Sequence, residues 1–204
     1  MWLYRIGKRL VPPLISFYHR VEVFGRERFN PRRNYVVVGN HVSIIDPIYI
    51  AAFYPGILHF MAKKELFVKP FLRWLLTRLG AFPVNREAAD LGAIKKALRL
   101  LKEGESIGLF PEGTRAEKWD ERAFKQGASY LAIKGATPVL PVIIFGSQKA
   151  LPKGSKTLRP AKIRLLYGEP LFPMPEEGVD EFGMRIRKAM ESLLSEGEAR
   201  GWLE

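Results

Sequence analysis

The chain of 204 residues is long enough to bury a core, and 47% hydrophobic with 26% charged residues is globular rather than disordered composition. Lys and Arg outnumber Asp and Glu by 33 to 21, a formal charge of +12 that attracts nucleic acid, acidic lipid headgroups or phosphorylated small molecules without choosing among them. The absence of cysteine excludes disulfides, thiolate nucleophiles and cysteine-ligated zinc.

The opening stretch "MWLYRIGKRLVPPLISFYHR" has no small-residue cleavage site, and no apolar run approaches the roughly 20 residues needed to span a bilayer. On a helical wheel Trp2, Leu3, Ile6, Leu10, Leu14 and Phe17 share one arc and Arg5, Lys8 and Arg9 lie opposite, which predicts an amphipathic cationic helix interrupted or kinked at Pro12-Pro13. Such a stripe either packs on the domain or lies in a membrane interface. A second stretch, "HFMAKKELFVKPFLRWLLTRLG" at 59 to 80, again mixes aromatics with Lys and Arg. Two such stretches favour a shared surface against anionic lipid.

Farther along, "YVVVGN" at 35 to 40 predicts a buried strand, "PIYIAAF" from 47 a helix start, and "GAFPVNR" at 80 to 86 a strand running into a loop. "DLGAIKKALRLLKEGE" from 90 carries Ile94, Leu98 and Leu101 on one face of a helix ending near Gly104. "SIGLFPEG" from 106 predicts a short strand, "FKQGASYLAIKGA" from 124 a helix, "TPVLPVIIFGS" from 137 and "AKIRLLYGEPL" from 161 strands, and "DEFGMRIRKAMESLLSEGEARGW" a final helix. This alternation predicts an α/β domain with a largely parallel sheet flanked on both faces by helices.

Ligands of open α/β sheets collect beyond the carboxyl ends of the strands. Polar residues fall at those ends here: His41 and Asp46 after the first strand, Arg86 after the second, Glu112 and Arg115 after the third. An aspartate that fixes a histidine's tautomer leaves the other ring nitrogen free to take a proton from a hydroxyl. Alternatively, Asp46 before Pro47 is an ordinary helix start, with Ser43 as another cap. In "GLFPEGTR", glycine admits close approach of a ligand and a guanidinium offers a forked grip on phosphate. His19 and His59 have no spacing that suits a metal, and they are read as surface or packing residues.

Taken in order, "NHVSIID", "GAFPVNR", "FPEGTR" and "VLPVII" resemble the four sequence blocks of the glycerolipid acyltransferase family, most closely its bacterial 1-acyl-sn-glycerol-3-phosphate acyltransferases. The resemblance spans about positions 38 to 146. It implies a catalytic dyad at His41 and Asp46, the HX4D motif, with Asn40 beside it. It further implies that Gly80, Arg86, Glu112, Gly113 and Arg115 hold a glycerol phosphate, that Lys125 adds to the phosphate grip, and that Pro141 binds the acyl donor or shapes the site.

The resemblance thus carries an expectation of acyl transfer from acyl-CoA or acyl carrier protein to lysophosphatidic acid, giving phosphatidic acid in phospholipid biosynthesis. No cofactor, metal or nucleic-acid partner is expected. Residues 1–34 would form a membrane-association element and 35–204 the acyltransferase domain, monotopic on the cytosolic face of the inner membrane, where acyl thioesters are found. The rivals are acylation of glycerol-3-phosphate or another lysophospholipid, a hydrolase using Ser43 as nucleophile, and a basic protein that only binds lipid or nucleic acid.

Overall fold

The structure, a computed structural model, describes residues 2–85, 90–113, 124–152, 154–155 and 157–203. In chain order the elements are α1 (Trp2–Tyr18), β1 (Arg20–Phe24), β2 (Val36–Gly39), α2 (Asp46–Phe53), β3 (Leu58–Lys63), α3 (Pro70–Arg78), β4 (Phe82–Val84), α4 (Leu91–Lys102), β5 (Ser106–Leu109), α5 (Gly127–Lys134), β6 (Val139–Phe145), α6 (Ser147–Ala150), β7 (Lys162–Tyr167) and α7 (Val179–Ala199). Short 3-10 turns occupy Arg26–Arg28 and Lys64–Phe67.

The strands form one sheet in the order β1-β7-β6-β2-β5-β3-β4. Every neighbouring pair is parallel except β6 with β7, so β1 and β7 run against the rest. The sheet is thus mostly parallel and covered by helices on both faces. Alternation along β2 separates the two sides. Val36 and Val38 pack with Ala93, Ala97, Leu131, Ile186 and Met190 of α4, α5 and α7, whereas Val37 packs with Tyr49 and Ile50 of α2. β2 lies at the sheet centre, buried along its whole length, which explains its unbroken apolar run.

Residues 20–24, within the expected membrane-association element, join the sheet. Their strand, β1, pairs with β7 over Arg20–Phe24, with Glu22 held between Lys162 at 2.9 Å and Arg164 at 3.2 Å. α1 is one helix from Trp2 to Tyr18 that contains Pro12 and Pro13, so of the expected interruption or kink the interruption is absent. Contacts along the helix hold it in place. The Leu58 N–H donates to the Tyr4 hydroxyl at 2.9 Å, and the Lys8 ammonium donates to the carbonyls of Ala51, Ala52 and Tyr54 at the end of α2.

Lys8, placed by the wheel on a solvent face, therefore points inward and caps a helix C-terminus. The apolar arc points outward: Trp2, Ile6, Leu10, Leu14 and Phe17 are exposed, Phe17 at 94%. The second cationic stretch, residues 59 to 80, runs from β3 through the Lys64–Phe67 turn into α3.

Candidate active site

β2 delivers the chain to Asn40, whose side chain extends the sheet by one further pair. Its amide donates to Ile144 O at 3.0 Å and its carbonyl accepts the Ile144 N–H at 2.8 Å, so a buried side chain substitutes for a strand at the point where β2 ends. The next residue, His41, is thereby held at the carboxyl edge of the sheet.

His41 Nδ1 lies 3.0 Å from Asp46 Oδ2. The same oxygen accepts the N–H groups of Val42 at 2.8 Å and Ser43 at 2.7 Å, and Asp46 is fully buried. Asp46 begins α2, yet its carboxylate folds back onto the preceding turn and makes no forward cap, since the cap position, Ile45, has no side-chain hydrogen bond. An ionised carboxylate only accepts, so the neutral imidazole carries its proton on Nδ1 and presents the lone pair on Nε2. Ser43 is buried and its hydroxyl donates to Leu151 O at 3.2 Å, away from the imidazole.

Two contacts absent from the sequence expectations fix the histidine further. Its backbone N–H donates to Glu112 Oε1 at 3.1 Å, and its ring stacks on Phe110 with centroids 4.3 Å apart and planes 19° from parallel. Phe110 in turn stacks on Phe60 at 5.6 Å. Glycines leave room for this column: a Cβ on Gly108 would lie 2.6 Å from the Phe60 ring, and one on Gly39 would lie 3.3 Å from the Phe110 ring. The only signal in the sequence was an aromatic residue ending the β5 run.

Glu112, expected among the phosphate-holding residues, is buried and braces the backbone of the first block. A buried carboxylate suits that role better than contact with another anion. Gly113 has a left-handed φ of +70°, and a Cβ there would lie 2.9 Å from Lys125 Cε and 3.0 Å from its Nζ. Lys125 therefore crosses directly over the glycine, its N–H donating to Pro111 O at 3.0 Å.

Beside this loop a cavity of about 420 Å³ is walled by Met61, Val84, Ile94, Leu109 and Tyr130, with Lys125 and Phe110 also in its lining. Among the described residues its lining combines apolar walls with one cation, Lys125, and one acid, Asp90, beside the histidine's stacking partner.

Gly80 serves the approach to the second block. With φ of +80° it ends α3 as its N–H donates to Thr77 O at 3.0 Å and the Ala81 N–H donates to Leu76 O at 2.9 Å, which turns the chain toward β4. His59 is buried, and its Nδ1 donates to Gly80 O at 2.8 Å, a packing role. Pro141 is buried within β6 opposite Val38, inside the sheet and not in the crevice. Its missing N–H faces the interval between the β6–β7 ladder and the Val139–Leu171 bridge, where no partner is needed. Arg86 and Arg115 lie outside the described residues. Among the described residues no group of three or more His, Asp or Glu is placed to hold a metal.

Three comparisons bear on this arrangement. The family model described as Acyltransferase matches residues 20–145. The 1-acyl-sn-glycerol-3-phosphate acyltransferase of Bacillus subtilis (strain 168) is 32% identical over 170 residues, covering 83% of this chain and 82% of that protein. The protein of the same name from Borreliella burgdorferi is 34% identical over 130 residues, 63% of this chain and 52% of that one. Among solved structures, the 1-acyl-sn-glycerophosphate (LPA) acyltransferase PlsC of Thermotoga maritima superposes with a TM-score of 0.82 at 29% identity, covering 97% of this chain and 80% of that chain.

Proposed function

This chain belongs to the acyltransferase family, and from that premise we propose that it transfers an acyl group from an acyl thioester to the sn-2 hydroxyl of 1-acyl-sn-glycerol-3-phosphate, giving phosphatidic acid. The observation that carries the reading is the contact of His41 Nδ1 with a buried Asp46 carboxylate that also accepts two backbone N–H groups. It leaves Nε2 as the basic atom. That nitrogen takes the proton of the sn-2 hydroxyl as the oxygen attacks the thioester carbonyl. The C–S bond then breaks, and the imidazolium returns the proton to the departing thiolate. No acyl-enzyme is formed, in keeping with a Ser43 hydroxyl turned to Leu151 O.

Lys125, over Gly113 at the cavity, binds the substrate phosphate together with Arg86 and Arg115 of the second and third blocks. Fixing the acceptor in this way removes part of the entropic barrier, roughly 7–11 kcal/mol at the most favourable limit. The apolar walls beside Lys125 suit an acyl chain. The thioester is acyl-CoA or acyl carrier protein, so the site belongs on the cytosolic face of the membrane. No described helix is long and apolar enough to cross a bilayer, and the outward arc of α1 supports interfacial attachment instead.

Acceptor choice is tested in detergent micelles with labelled lysophosphatidate or glycerol-3-phosphate and each thioester in turn. Phosphatidate forms from lysophosphatidate. Turnover confined to glycerol-3-phosphate would contradict the assignment.

A further inference from the structure

The turn Lys64–Phe67 leaves the carboxyl end of β3, and α3 follows it before the chain returns to β4. β3 runs parallel to β5, which is parallel to β2, so this turn emerges at the same sheet edge as His41. α3 buries none of its residues. Leu72, Leu75 and Leu76 are half-covered, while Val68 is 70%, Phe71 69% and Trp74 48% exposed.

Phe71 and Trp74 stack on the open side with centroids 6.2 Å apart, and Arg78 lies over the Trp74 ring at 6.0 Å. Around this apolar patch stand Lys63, Lys64, Lys69, Arg73 and Arg78, with Glu65 the one acid from 63 to 79. An open groove of about 580 Å³ beside the helix is lined by Lys64, Arg73, Thr77, Phe67, Val68 and Pro83.

A patch this apolar, outside the body and not used by the core, marks a docking surface. The ring of cations identifies its occupant by charge, and the exposed tryptophan is a side chain suited to the water–hydrocarbon boundary. We infer that the turn at Lys64–Phe67 together with α3 is a second, independent membrane contact, seating Val68, Phe71 and Trp74 in an anionic bilayer with phospholipid headgroups against Lys64 and Arg73. This rests on the reading of a lipid acceptor and deepens it. The carboxyl end of α1, with Leu14 and Phe17 exposed, enters β1 at the same edge, because β1 runs opposite to β2, so two contacts present the His41 crevice to the leaflet that holds the lysolipid.

The absence of cysteine makes the test direct. Phe71→Cys carries one environment-sensitive nitrobenzoxadiazole label, and Met184→Cys on α7, exposed at 66%, serves as the control. On vesicles of phosphatidylglycerol and phosphatidylcholine, emission at position 71 rises at least twofold and is quenched by spin-labelled lipid, while position 184 stays constant. Unchanged emission at position 71 in protein that sediments with the vesicles would overturn the inference and leave α1 as the contact.

In a second arm, Lys64→Glu with Lys69→Glu weakens partition onto anionic vesicles at least tenfold, since each basic residue near such a surface contributes roughly fivefold. Partition equal to wild type would also overturn it. Turnover of the same variants in micelles stays at the wild-type rate, so failure of the docking surface and failure of the acyl-transfer reading are separately visible.

Discussion

At the scale of single residues, the site depends on one carboxylate oxygen with three donors: His41 Nδ1, Val42 N–H and Ser43 N–H. Asp46→Asn keeps an oxygen for the two backbone donors and loses the charge that balances a protonated His41. The expected outcome is a folded protein, by circular dichroism, whose kcat falls roughly 10²- to 10⁴-fold. A loss smaller than tenfold would remove Asp46 from the mechanism.

Phe110 acts on the same histidine through its face. Offset aromatic stacking is worth about 0.5–1.5 kcal/mol, so Phe110→Leu lowers kcat roughly two- to tenfold with the KM for lysophosphatidate unchanged, and Phe110→Tyr restores it. Equal effects of Leu and Tyr would show that the ring only fills space. His41, Asp46 and the Glu112 loop were legible because each interrupts an apolar run at a strand end. The stacked column was not, because ring geometry depends on contacts between residues from three strand regions.

Among elements, legibility followed burial. The central strands β2, β5 and β6 and the amphipathic α4 and α7 show in the sequence because their surroundings demand one continuous apolar run or one apolar stripe. β1 carries Arg20 and Glu22 on an edge and has no such run, and β3 ends in Lys63 and flows into a turn that opens on Lys64 and Glu65, so both were obscured. The reversal of β7 depends on how the loop after α6 closes, and periodicity contains no direction.

His19 at the α1–β1 junction gives this scale its prediction. It is buried with its ring edge-on to Tyr18 and Tyr49, and burial lowers its pKa. Below about pH 6.5 the unfolded chain therefore binds a proton that the folded chain does not, so stability falls with falling pH until the folded histidine is protonated, and is unaffected above that range. His19→Phe should flatten the decline of Tm between pH 7 and pH 5. An unchanged slope would place the acid sensitivity elsewhere.

For the molecule as a whole, topology brings the parts together. Parallel β2, β5 and β3 deliver His41, the Phe110–Gly113 loop and the turn before α3 to one edge, and the antiparallel turn of β7 brings the junction of α1 and β1 to that edge as well. One edge therefore carries the base, the Lys125 cation, the cavity, the α3 patch and the carboxyl end of α1. A net charge of +12 attracts anionic partners in general, a bias that weakens as salt screens it. The alternation of strands and helices was readable in the sequence, whereas the entry of Arg20–Phe24 into the sheet required the long-range pairing of β1 with β7.

The most direct measurement is phosphatidate formation from labelled lysophosphatidate and an acyl thioester by the wild-type chain beside His41→Ala. The account predicts product from the wild type and a rate at least roughly 10²-fold lower from the folded variant. Equal rates would contradict it, since the proton of the sn-2 hydroxyl would then leave by a route that does not involve His41.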